Sequence, residues 1–284
     1  MQRARQRKEQ RGVFLIVLAA ILASIVGSIA LSNLNAVQFG VGAREKLTTD
    51  RLERIRRAVV VYVAQNGKLP CGVNGAAADS GNGNFPGSGS CATTRRVGVV
   101  PWNTLNLPQA DSFDGWGRKI SYRVYYGTTG LTGPTAGAGF ADMTQCDSSA
   151  PGGGVSGGNS LCRSGLSANS GSRTSEGAFL NIGLRPGFTV YDNGVQVSQV
   201  GIVLISHGES GKGAYLGNTV RMGSPNGLNL AETYNLSATG PFYGATRSPD
   251  NIDDTAVNHY DDRIVYMTIR DLIYAAGRGP RDWH

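Results

Sequence analysis

Apolar residues fall along this chain in three distinct patterns. From Gly12 to Leu31 the sequence GVFLIVLAAILASIVGSIAL carries no charge, and Ser24 and Ser28 are its only polar side chains. Twenty residues at 1.5 Å per residue make about 30 Å, the thickness of a bilayer hydrocarbon core. Farther on, Leu52, Ile55, Val59 and Val63 recur at helical spacing. Asn66-Gly67 and then Pro70 are stop signals for that helix. Beyond residue 67 the pattern becomes that of short strands. The stretch Lys119–Tyr126 alternates Ile120, Tyr122, Val124 and Tyr126 on one side, as a half-buried antiparallel strand does. Val195–Ser206 is the most apolar strand segment and the candidate sheet centre, and residues 263–277 start as a strand and end as a short helix. Between these lie Gly-rich stretches, 127–178 and 208–259.

These elements predict an α+β fold: one long helix, roughly residues 13–65, packed on a small antiparallel sheet with long Gly-rich loops. The predicted organisation is a basic leader (1–12), a transmembrane helix (13–34), an amphipathic continuation (35–66) and a globular head (67–284) with a loop insertion at 127–178. The competing reading of the first apolar stretch is a cleaved signal peptide. That stretch exceeds the usual h-region of about 7–15 residues, and no clear small-x-small site ends it.

Charge sharpens the picture. The formal net charge is +7. Arg3, Arg5, Arg7, Lys8 and Arg11 against Glu9 supply +4 of it ahead of the apolar stretch. A basic flank on that side places the N-terminus in the cytoplasm and the head outside it, as a single-pass membrane protein. No aromatic-basic stripe points to nucleic acid. Cys71, Cys91, Cys146 and Cys162 form no C-x-x-C pair, and four cysteines allow three pairings. Local bridges, Cys71–Cys91 and Cys146–Cys162, would each staple a Gly-, Ser- and Asn-rich loop, which suits an oxidising compartment.

Candidate chemistry is sparse. Ser206-His207-Gly208-Glu209-Ser210-Gly211-Lys212-Gly213 is neither a Walker A loop nor a nucleophile elbow by its spacing, although His207 remains a candidate for a hydrolase site assembled in three dimensions. Asp250, Asp253, Asp254, Asp261 and Asp262 cluster near the C-terminus. Their hard oxygens suit a structural calcium ion, set against a solvated acidic loop. The imidazoles are His207, His259 and His284. Asp114 is placed to cap the turn Asp114-Gly115-Trp116-Gly117-Arg118. No catalytic residue or cofactor is assigned.

Three features resemble the type IV pilin-like proteins, the pseudopilins and minor pilins: the leader ending at Arg11-Gly12 before Val13-Phe14-Leu15-Ile16, the helix ending in Asn66-Gly67-Lys68-Leu69-Pro70-Cys71, and the run from Val99-Val100-Pro101-Trp102 through Leu105-Asn106-Leu107-Pro108 to the turn at Asp114. The resemblance implies that the membrane is a bacterial inner membrane, with cleavage between Gly12 and Val13 by a prepilin peptidase and methylation of the new terminus. It also implies packing of the helix against other pilin-like subunits, and a non-enzymatic structural role in a type IV pilus or type II secretion filament. Val17 stands where the family's major subunits carry Glu, which implies a minor or tip position. The alternatives are a membrane-anchored periplasmic binding or adhesion module, or a tethered hydrolase.

Overall fold

The computed structural model describes residues 40–76, 81–82, 91, 98–125, 141, 187–224, 230–245 and 259–279. It divides into two units, residues 1–46 and 47–284, and almost everything described belongs to the second.

Helix α1 is described over residues 40–66. Leu52, Ile55, Val59 and Val63 are fully buried along one stripe, each contributing about 1.5–3 kcal/mol relative to exposure. Gly67 ends the helix at φ 65°, a left-handed conformation that glycine adopts without steric cost, and its N–H donates to Val63 O at 2.8 Å. Arg278 donates from Nε to Ala64 O at 3.1 Å, tying the chain's end to the last carbonyls of α1.

The sheet is built around β5 (Val195–Ser206). With it go β1 (Gly98–Val99), β3 (Ser121–Val124), β4 (Phe188–Asp192), β7 (Phe242–Gly244) and β8 (Arg263–Thr268). The order is β1-β3-β5-β4-β7, with β8 also on β5. The first half of β5 pairs with β4 through a two-residue turn, Asn193 (φ 48°) and Gly194 (φ 84°). Positive φ at both positions is the type I′ geometry that matches strand twist. The second half pairs with β3 on one edge and β8 on the other. A small separate ladder joins β2 (Arg118–Lys119) to β6 (Tyr215–Leu216).

Alternation along the strands sorts two faces. Tyr122, Val124, Ile202, Leu204 and Met267 join the stripe of α1 and helix α3 (Ile269–Ala275) in one core. Thr268 caps α3, its side chain accepting the N–H of Asp271 at 3.0 Å. Val203 and Ile205, of opposite parity, join Phe188, Val190 and Phe242 in a second core, and Val200 joins them because the register shifts between Val200 and Ile202. Helix α2 (Leu230–Asn235) lies against β7, where Tyr234 stacks on Tyr243 and Tyr243 on Tyr191 at centroid distances of 5.3 and 5.1 Å.

The expected fold class needs correction. The sheet is mixed, not antiparallel, because β7 runs parallel to β4. A parallel pair requires a crossover, and the chain makes one through β5, β6 and α2. The stretch expected as plain loop at 208–259 therefore carries structure. The single-pass membrane placement is also corrected. Among the described residues no helix is long and apolar enough to cross a membrane. From residue 44 onward α1 is interrupted by Arg44, Glu45, Lys46, Asp50 and Arg51. The leader, the expected span at 13–34, Gly12, Val13 and Val17 lie outside the described residues, as does nearly all of 127–178.

Two staples secure the start of the domain. Cys71 and Cys91 form a disulfide across a sequence separation of 20, with both residues buried. Cys146 and Cys162 lie outside the described residues. Asp114 organises the turn after the 3₁₀ helix Gln109–Ser112: its Oδ1 accepts the N–H groups of Trp116 and Arg118, both at 2.9 Å, and its Oδ2 accepts from Ser206 Oγ at 2.9 Å. Burial pushes the Asp114 carboxyl upward, opposed by its bonds to Arg118, Ser206 and Trp116. Helix α1 holds the same turn through Arg51 on the carbonyls of Phe113 and Asp114, Arg54 on Asp111, and Thr48 on the N–H of Gly115.

Two outcomes follow. Replacing Cys71 and Cys91 together by serine should lower stability by about 3 kcal/mol, read by urea unfolding, and raise amide exchange first in residues 71–76. Asp114→Ala removes three hydrogen bonds to a buried carboxylate and should cost about 2–4 kcal/mol, whereas Asp114→Asn should recover part of the loss.

Candidate functional site

Polar side chains gather where β3 begins and β5 ends, on the second face of the sheet. Ser121 opens β3 with its side chain opposite Tyr122, and the residue after β5 is His207. Ser121 Oγ and His207 Nε2 are hydrogen-bonded at 3.0 Å. On the other side of the ring, His207 Nδ1 is 3.3 Å from Asp262 Oδ1, but the approach lies outside hydrogen-bond geometry. Asp262 is held instead by Asn235 of α2, whose Nδ2 donates to Oδ2 at 2.8 Å. Asn235 also exchanges bonds with Tyr243, donating to its carbonyl and accepting its N–H. Tyr260 Oη donates to the same Tyr243 carbonyl at 2.6 Å, and burial together with Asp262 pushes its phenol strongly upward.

Next to this row lies a second group. Glu232 of α2 accepts the N–H of Asp261 on Oε1 at 3.0 Å. Asp261 in turn accepts the N–H of Ser210 on Oδ2 at 2.6 Å and its hydroxyl on Oδ1 at 3.1 Å. His259 Nε2 faces both acids, 3.7 Å from Glu232 Oε1 and 3.6 Å from Asp261 Oδ2. Burial first, and then the charge of Asp262, push the Glu232 carboxyl up to about 8. Buried carboxylates in mutual proximity resist ionising together. A cation is also present in this layer. The Arg123 guanidinium is buried, donates to Ser237 O and Gly98 O at 3.0 Å each, and is lowered to about 10, chiefly by burial.

The glycine-rich turn between these groups is shaped by close approach. Gly208 has φ 54°, and a Cβ there would fall 2.2 Å from Asp261 O. At Gly211 (φ 67°) a Cβ would collide with the Arg118 guanidinium, which spans the turn and donates to Gly208 O and Glu209 O. The sequence motif at 206–213 thus serves as a compact clasp. No phosphate cradle forms there, because Arg118 and Asp261 occupy the space.

The sequence-derived candidates fare unevenly. His207, Asp261 and Asp262 are brought together and buried, which rules out a solvated acidic loop for those two aspartates. Asp250, Asp253, Asp254 and His284 lie outside the described residues. Sequence reasoning missed Ser121, Glu232 and Asn235 altogether, and His259 stood only in a list of imidazoles. Ser121 falls on the non-apolar parity of its strand, the parity expected to face water. Only the layer of α2 and the clasp turns it inward.

No family model, no curated protein and no solved structure matches this chain. The resemblance to type IV pilin-like proteins is therefore corrected: no comparison supports it, and the mixed sheet departs from the antiparallel arrangement that it implied.

The clasp offers a direct test. Gly208→Ala demands both a left-handed backbone and space that Asp261 fills. It should destabilise the domain by more than about 2 kcal/mol in urea unfolding, whereas Gly194→Asn, at an open hairpin position, should change stability little.

Proposed function

We propose that the chain is a non-enzymatic structural subunit of a larger protein assembly, its β-domain serving as a head carried at the end of α1. One observation carries this reading: the only array among the described residues that resembles a nucleophilic relay is sealed and incomplete. A working Ser-His-Asp relay needs an accessible hydroxyl and an Nδ1–H bonded to the carboxylate, which fixes the tautomer. Here Ser121 is 3% exposed and lies within a ladder paired on both edges, and the His207–Asp262 approach is not a hydrogen bond. Buried polar groups tied into one another in this way serve to specify packing.

The outer face of α1 fits an assembly role. Leu47 and Val61, two helical heptads apart, are 42% and 54% exposed, while the opposite stripe is buried. Arg54 lies midway between them, bonded to Asp111 with its side chain half exposed. An apolar pair flanking a basic side chain is a surface that a neighbouring subunit can cover.

The second reading is a hydrolase, favoured by the 3.0 Å contact between Ser121 and His207. One experiment separates them. The full chain is cross-linked across a concentration series and, in parallel, treated with a fluorophosphonate. The structural reading expects concentration-dependent oligomers that are lost in Leu47→Asp/Val61→Asp, with that variant's unfolding midpoint nearly unchanged and Ser121 unlabelled. A chain that stays monomeric and is labelled at Ser121 would replace it with the hydrolase.

A further inference from the structure

We infer that Glu232, His259 and Asp261 form a binding site for a zinc-class divalent cation, which clips helix α2 to the entry of strand β8. The three residues come from two segments, α2 and the chain leading into β8. All three are buried, and one ligand atom from each lies within 4.8 Å of the other two. The contacts of His259 Nε2 with Glu232 Oε1 and Asp261 Oδ2, at 3.7 and 3.6 Å, exceed hydrogen-bond length. They suit ligands that share an ion: donors about 2.1 Å from one metal at a tetrahedral angle stand about 3.4 Å apart. The two His259 contacts lie within about 0.3 Å of that spacing.

The oxygens that face His259 are already oriented. Glu232 Oε1 is held by the Asp261 N–H, and Asp261 Oδ2 by the Ser210 N–H. Backbone N–H groups that orient carboxylate oxygens in this way are the outer-shell arrangement that fixes carboxylate ligands. Ser210 belongs to the clasp at 207–213, so a bound ion would lock three segments at once: α2, the clasp and the strand entry. Removing carboxylates from water is costly unless they are paired or bind a metal, and this site concentrates two of them beside a third, Asp262.

The donor set selects the ion. One imidazole nitrogen and two carboxylate oxygens, with a fourth position open to water, suit a borderline cation such as zinc. Calcium requires six to eight oxygens, and among the described residues Asp261 is the one calcium candidate from the sequence that joins this trio. The competing account of the same geometry is an imidazolium of His259 salt-bridged to both acids, with no metal.

The test uses the full chain stripped with chelator and titrated with zinc, with calcium as control. The expected result is one zinc-specific equivalent that disappears in Glu232→Gln and in His259→Gln, each losing at least about 100-fold in affinity. Wild type should gain about 5–10 °C in Tm at a hundredfold excess of zinc over its dissociation constant, and the variants should gain none. Zinc binding of equal strength in both variants would overturn the site, as would a calcium preference or no binding at all. The last result would leave the imidazolium account standing. Should a variant fail to fold, wild type alone decides. There are three histidines, and the ring resonances of His259 must shift on saturation with zinc. An unmoved His259 overturns the proposal.

Discussion

Strand β5 is hydrogen-bonded along both edges over Ile202–Ile205 and covered on both faces, and the rest of the domain is arranged to meet those two conditions. A strand so enclosed cannot leave a backbone group unpaired, so β3 and β8 must flank it. It must also bury side chains of both parities, so one layer of helices is insufficient. Helices α1 and α3 cover Leu204 and Ile202. Phe242 of β7, with Phe188 and Val190 of β4, packs with Val203 and Ile205 on the other face. The parallel pairing of β7 on β4 follows from that second layer, since the chain has to return across the sheet to close it.

Covering the second face has a consequence for β3. Its residues of that parity are Ser121 and Arg123, opposite Ile205 and Val203. These polar groups are sealed in with an apolar strand, and each one needs a protein partner. Ser121 takes His207, and Arg123 takes two carbonyls. Asp262 takes Asn235, which in turn is locked to Tyr243 of β7. The polar row therefore joins the crossover layer to the sheet by directional bonds, where the apolar cluster around Phe242 joins it by burial. Directional bonds fix register in a way that apolar contact does not.

Features set by local sequence were legible. The stripe Leu52–Ile55–Val59–Val63 has one helical solution, Gly67 is a stop, and Asp114 before Gly-Trp-Gly supplies a carboxylate to the N–H groups two and four residues on. Val195–Ser206 was readable as the centre because only a doubly covered strand tolerates the run GIVLIS. What could not be read was set at long range. Glu232 sits in a six-residue helix in a polar stretch, and its partner Asp261 is 29 residues away. The inward turn of Ser121 depends on segments about 90–140 residues later in the chain, and alternation alone places it toward water.

The two faces at the C-terminal end of β5 illustrate how little separates a staple from a site. At Ser206 the face toward α1 carries a serine and a buried aspartate, Ser206 and Asp114, in which every carboxylate oxygen has a donor. One residue later, on the opposite face, His207 meets Asp262 without a bond, and beyond it His259 Nε2 faces Glu232 and Asp261 at 3.7 and 3.6 Å. The first arrangement is closed: adding a ligand could only break bonds already made. In the second, two carboxylates and an imidazole face one another at about the spacing of ligands around a shared ion. Burial makes carboxylates so close together costly, and a divalent ion among them offsets that cost. Hence the same strand ends in a finished turn on one side and in a cation site on the other.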